Sequence, residues 1–298
     1  MSLTKPAPVF KTVSLAVAIL FGATSAYAQN NDSRIISAGS AITEIINALD
    51  ASNQLVAVDS TSQTLVDTKM PKVGYHRQLS AENLMSLTPT RIIGSNEMGP
   101  ESTLTILKQA GVAVDIVNSG NTVSDLSKRI EQVAQLTGHQ KQANELEQTV
   151  QHTVQTLTEH RSQLKNQPDF KEKKVLFVMI HDGRPVNVAG KGTTADTVIN
   201  LAGAINPAAA FVENYKPIST EAMLQMQPDI ILLSSRTAAT IKTMPDLIKK
   251  IPVLAQTPAA QNNALAVIDG TALIGGLGIH SLNEAARLSN VFYPTVNQ

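Results

Sequence analysis

Tyr75 and Arg77 stand two residues apart in the run Val73-Gly74-Tyr75-His76-Arg77. In an extended segment alternate side chains share a face, so the phenol and the guanidinium point together while His76 points oppositely. A guanidinium beside a phenol favours the phenolate, lowering its pKa from about 10. A phenolate is a hard anionic donor, and tyrosinate is one of the protein ligands of haem iron. The spacing therefore makes chemical sense for a ferric porphyrin. A half-buried tyrosine with a bonded hydroxyl, next to a solvated arginine, satisfies the same spacing. Tyrosine is scarce in this chain, with four copies and no Trp at all.

Six histidines are available as further donors. His139, His152 and His160 fall on a polar helical stretch without i, i+4 pairing and read as solvated surface residues. His280 lies near the start of the last helix, where capping or surface placement is the default. His181 differs, because it follows the apolar run Val175–Ile180 and precedes Asp182-Gly183-Arg184. Open α/β sheets bind ligands beyond the carboxyl ends of their strands. His181 can thus oppose Tyr75 across a cleft, or be an ordinary structural histidine.

These side chains must be held by α/β elements. From Arg34 to Ser119, short apolar runs (Arg34–Ile36, Leu55–Val58, Arg91–Gly94, Val112–Val117) alternate with helical ones (Ile42–Leu49, Ala81–Ser86, Ser102–Ala110). That alternation predicts a parallel sheet with helices on its faces. The second half repeats the style, with strands at Val175–Met179, Ile230–Leu233 and Leu265–Ile268 and helices at Ala195–Leu201, Thr220–Met226 and Leu282–Leu288. Between them, Ala143, Leu146, Val150, Val154, Leu157 and Leu164 draw one apolar stripe at helical spacing. Residues 139–167 contain neither Gly nor Pro, which predicts a single strut roughly 42 Å long. The expected organisation is an α/β fold of two small lobes with parallel-rich sheets joined by one long helix. Its divisions are a leader at 1–28, a first lobe at 29–138, the helix at 139–167 and a second lobe at 168–298. A weak duplication supports equivalent lobes: residues 79–89, LSAENLMSLTP, are echoed by residues 218–228, ISTEAMLQMQP.

Composition narrows the function classes. With 24 basic and 24 acidic residues the formal charge is zero, and 16% charged residues leave no basic stripe for nucleic acid. The absence of Cys excludes thiol catalysis, Cys-ligated zinc and iron–sulfur clusters. There is no nucleophile elbow, zinc-protease helix or phosphate loop, so no motif supports an enzyme. Lys5 and Lys11, an apolar stretch from Val13 to Gly22, and Ala26-Tyr27-Ala28 read as a secretory signal cut after Ala28. The expected mature chain carries 22 basic and 24 acidic residues, a charge of −2, and is periplasmic.

Three runs carry a family resemblance: residues 73–82, VGYHRQLSAE; residues 188–196, VAGKGTTAD; and residues 215–222, YKPISTEA. Together they resemble the substrate-binding proteins of ABC importers for haem, siderophores and cobalamin, and within them the periplasmic haem-binding proteins. The resemblance implies haem as the transported ligand, with Tyr75 and His181 as iron ligands and Arg77 behind the tyrosinate. Cobalamin or a ferric siderophore is the alternative, although few aromatic residues are present to line a siderophore cage. Glu82 and Glu221 sit at matching places in the duplicated unit, each in the first turn of its helix. The helix dipole alone accounts for a carboxylate there. The resemblance implies instead that the pair docks on basic residues of an inner-membrane ABC permease. It further implies a monomer fed by an outer-membrane haem delivery system.

Overall fold

Both faces of a parallel sheet are covered, so its strands read as short continuous apolar runs rather than alternating ones. A computed structural model describes residues 1–2, 33–180 and 183–294; His181 and nearly all of the expected signal segment lie outside them. In the unit Asn31–Gln298, the first sheet holds β1 (Ile35–Ala38), β2 (Leu55–Val58), β3 (Arg91–Gly94) and β4 (Ala113–Ile116). Their order is β2-β1-β3-β4 and every pair is parallel. Ile35 and Ile93 enter one apolar cluster and Ile36 and Ile92 another, as the two-residue period of a strand requires.

The second sheet comprises β5 (Val175–Met179), β6 (Asn187–Ala189), β7 (Tyr215–Pro217), β8 (Ile230–Ser234) and β9 (Leu265–Ile268) in the order β7-β6-β5-β8-β9. Strands β5, β8 and β9 are parallel, as expected. The meander β5-β6-β7 is antiparallel and has no counterpart in the sequence reading. The duplicated helices Ala81–Met85 and Thr220–Met226 each lead into the strand beside the first strand of its half: β3 next to β1, and β8 next to β5. Each begins at a serine cap, Ser80 and Ser219, whose hydroxyl accepts the backbone N–H three residues on.

The strut is a 26-residue helix, Gln140–Lys165, about 39 Å long. Its expected stripe is the buried face: Leu146, Val150, Leu157 and Leu164 are buried, with Ala143 and Val154 packed against the same core. That core continues from Ile42, Ile46 and Leu126 through the strut to Phe177, Val198, Leu282 and Leu288, so one apolar cluster joins the two sheets' surroundings. The strut packs against the helix Val123–Thr137, which the sequence reading had not placed, and against the C-terminal helix Ile279–Phe292.

Two histidines of the strut region differ from expectation because those neighbouring helices cover them. His139 is buried with its Nδ1 2.8 Å from the Thr137 carbonyl, and His160 Nδ1 lies 2.9 Å from Ser289 Oγ on the C-terminal helix.

Polar bonds also tie the two halves. The fully buried Arg129 donates to the carbonyls of Asn118, Gly120 (3.0 Å) and Leu277 (2.8 Å). Burial brings its pKa down to about 10. Gly276 has φ +91°, and a Cβ there would stand 2.5 Å from Arg129 Nη2, so this position needs glycine twice over. Asn121 donates to the Gly192 carbonyl at 2.9 Å and accepts from Thr194 Oγ1 at 2.6 Å.

Candidate functional site

Tyr75 sits on a short segment pinned to the carboxyl ends of the first sheet. Val73 N–H donates to the Val58 carbonyl at 3.0 Å, and Ser60 N–H donates to Gly74 at 2.7 Å. Gly74, at φ +90°, turns the chain there. Gln78 N–H then donates to the Tyr75 carbonyl at 2.8 Å, closing a turn over residues 75–78. On the far side Gly99 N–H reaches the His76 carbonyl and Leu79 N–H reaches that of Gly99, each at 2.9 Å. Buried Val73 and Leu79 anchor the two ends, while the Tyr75 side chain between them is 40% exposed.

The turn removes the extended backbone on which the same-face argument rested, yet Tyr75 and Arg77 are both exposed and His76 between them is buried. His76 folds inward and is 1% exposed, its ring centroid 4.4 Å from that of Tyr75. Its Nδ1 lies 3.0 Å from Asp59 Oδ2, and its Nε2 lies 3.6 Å from Glu97 Oε2, an ion-pair distance. The Arg77 guanidinium pairs with the other oxygen of Glu97, so its charge reaches Tyr75 only through space. Asp59 follows β2, and its Oδ1 also accepts Gly39 N–H at 3.1 Å, Thr61 Oγ1 at 2.9 Å and Ser62 Oγ at 2.8 Å. Beneath Tyr75, therefore, runs a chain Asp59–His76–Glu97–Arg77 in which carboxylates alternate with bases.

The charges support one another. Burial opposes ionisation of His76, yet the hydrogen bond to Asp59 and then the Glu97 carboxylate outweigh it and hold its pKa above the ordinary value. Burial likewise pushes the Asp59 carboxyl up, and bonds from His76, Ser62 and Thr61 bring it net below the usual carboxylate range. His76 first, then Arg77, against a smaller effect of burial, hold the Glu97 carboxyl at about 2. These shifts all favour the charged forms, and Tyr75 is the exposed neighbour of the chain.

The second lobe contributes Tyr215. Its ring lies 6.3 Å from that of Phe177, edge to face, and is about a third exposed. The Ala195 backbone and the Thr193 side chain, at the start of the helix Thr194–Leu201, act on its hydroxyl. Burial, with the charge of Glu97 adding to it, pushes its pKa up to about 12. The cations Arg184, Lys191, Lys216 and Arg236 are all exposed. Glu82 and Glu221 are exposed in the first turns of their helices, as the sequence placed them. His280, near the start of the last helix, pairs instead with Asp269 at 3.0 Å.

Sequence reasoning thus placed the Tyr75 segment and missed its foundation. Asp59, Glu97 and the inward turn of His76 come from three segments joined only by folding. Their one local signal was Gly74, a residue suited to a turn.

Known proteins share this fold. The solved periplasmic haem-binding protein HutB of Vibrio cholerae superposes with a TM-score of 0.81 at 46% identity, over 88% of this chain and 99% of that one. The vitamin B12-binding protein of Vibrio cholerae is 26% identical over 211 residues, 69% of this chain and 72% of that protein. The ABC transporter substrate-binding lipoprotein YvrC of Bacillus subtilis is 25% identical over 209 residues, 69% of this chain and 65% of that lipoprotein. The resemblance carried by the three short runs, and the two-lobe α/β fold it implied, are borne out. The periplasmic binding protein profile matches residues 35–272, and the chain belongs to the periplasmic binding protein family.

Proposed function

We propose that this chain is an exported, non-enzymatic carrier that captures ferric haem between its two lobes and hands it to an ABC importer permease. The observation that carries the reading is Tyr75. It is a phenol left exposed on a turn pinned at both ends, beyond the carboxyl ends of β1 and β2, where open sheets bind ligands. Similarity to HutB along nearly its whole length supports haem over cobalamin, since the vitamin B12-binding relative is far less similar.

In this reading Tyr75 supplies the iron's axial oxygen. Arg77 and Glu97 set the field around it, and His181 is the second iron ligand. The signal segment is cut after Ala28, leaving a monomer with lobes at 29–138 and 168–298 around the strut at 139–167. An outer-membrane system supplies the haem. Exposed Glu82 and Glu221, one on each lobe, orient the loaded protein on the permease.

Titration of the purified protein with hemin, followed in the visible spectrum, tests the reading. Saturable one-to-one binding with tyrosinate charge-transfer features is expected. Tyr75→Phe should remove those features and weaken binding at least tenfold. Wild-type protein showing only a slow, unsaturable rise would overturn the haem reading.

A further inference from the structure

Resting on the haem reading, we propose that His76 is a positioning residue for the iron ligand: clamped between carboxylates on both ring nitrogens, it fixes where Tyr75 presents its oxygen and so sets how tightly iron is held. The imidazole itself does not reach a ligand. It is 1% exposed, with Nδ1 3.0 Å from Asp59 Oδ2 and Nε2 3.6 Å from Glu97 Oε2, so neither nitrogen is left for a metal. Its effect on iron passes through the neighbouring phenol.

The anchor is stiff. Asp59 is fully buried, and its Oδ1 accepts from Gly39 N–H, Thr61 Oγ1 and Ser62 Oγ. Its Oδ2 accepts from Thr61 Oγ1 at 2.8 Å as well as from His76. Its own N–H donates to the Ser37 carbonyl on β1 at 3.0 Å. The carboxylate therefore has one orientation, and as a pure acceptor it requires the imidazole proton on Nδ1. The path to Tyr75 is short. The two residues are consecutive, and their rings lie 4.4 Å apart with a 55° tilt, so the imidazole supports one side of the phenol. The His76 carbonyl also accepts Gly99 N–H at 2.9 Å, which ties its backbone as well as its side chain. Removing a group that orients a metal's ligand typically costs about 10- to 100-fold in metal affinity. The reason is entropic: a donor already held in place loses less freedom on binding.

The test is hemin titration of the mature chain over a double-mutant cycle, with each His76 variant made alone and together with Tyr75→Phe. His76→Leu keeps apolar bulk but makes neither bond. Alone, it should weaken ferric haem by about 10- to 100-fold and shift the tyrosinate charge-transfer band. Combined with Tyr75→Phe, it should change affinity by less than about twofold, because no oxygen remains to be positioned. Two milder variants keep the test open where leucine destabilises the fold. His76→Asn puts an amide nitrogen near the Nδ1 position and should keep the Asp59 bond, recovering most of the loss. His76→Gln reaches towards Glu97 instead and should recover little. An equal loss with and without the Tyr75 oxygen would overturn the proposal and reduce His76 to a support of the fold. Wild-type affinity in His76→Leu would also overturn it, as would His76→Gln binding tighter than His76→Asn. Wild-type protein without saturable hemin binding would instead remove the haem reading, and undiminished binding in Tyr75→Phe alone would remove Tyr75 as its ligand.

Discussion

Replacing Glu97 by Gln probes the charge chain at the carboxylate that joins His76 to Arg77. The wild-type carboxyl is held at about 2 against an ordinary 4.5. That span corresponds to roughly 3.4 kcal/mol of preference for the charged form in the folded state. Glu97 is 35% exposed, so solvent screening reduces what reaches stability to about 1–2 kcal/mol. The sign follows from linkage: a carboxyl with a depressed folded pKa stabilises the protein above its unfolded value. That contribution is lost as the pH falls from about 4.5 towards about 2. Glu97→Gln should therefore unfold in urea about 1–2 kcal/mol more easily at pH 7. Its acid limb should be shallower below pH 4.5, with Asp59 supplying what remains. The imidazole of His76, with one counter-charge fewer, should titrate lower by nuclear magnetic resonance. A variant as stable as wild type at pH 7, with an unchanged acid limb, would refute the account of Glu97 as an ion-paired member of the site.

Arg129→Met removes the donor shared by three carbonyls from both halves and should cost at least about 3 kcal/mol in urea denaturation. Glu44, whose carboxylate accepts the His280 N–H at 3.0 Å, has its pKa raised chiefly by burial. A raised folded pKa gives stability below the unfolded value that disappears as pH rises, so Glu44→Gln should match or exceed wild type by up to about 1 kcal/mol at pH 7. The gain should vanish near pH 4 in the same denaturation series. Changing Glu82 and Glu221 together to Lys should leave hemin titrations unchanged while stopping haem uptake in vesicles reconstituted with the cognate transporter; full uptake would return both residues to a helix-dipole role.

What the sequence disclosed and what it hid divide along one physical line. Strands β2, β3, β5 and β9 begin and end as expected, since each is an apolar run between breakers and belongs to a parallel sheet. Strands β6 and β7 have three residues each, and Tyr215–Pro217 is exposed throughout, so no periodicity existed to be read. The helix Val123–Thr137 was legible in principle. Thr122 and Asp125 form a capping box, and Leu126, Ile130 and Val133 follow at helical spacing. His139 and His160 were misjudged because a polar helix face reveals its own pattern but not the neighbour that covers it.

The Tyr75 segment shows why the decisive part of the site lay beyond such reading. Parallel strands bring their carboxyl ends to one edge whatever residues follow them. Here Gly39 follows β1, Asp59 follows β2 and Glu97 comes shortly after β3. His76 bonds Asp59 and faces Glu97, and Asp59 in turn holds the Gly39 N–H, so one imidazole ties the ends of three strands. On the turn of residues 75–78 His76 points inward and Tyr75 stays outside. The buried ion pairs and the exposed phenol are therefore two consequences of the same fold in the chain. A residue set aside as pointing away becomes the one that fixes where Tyr75 stands.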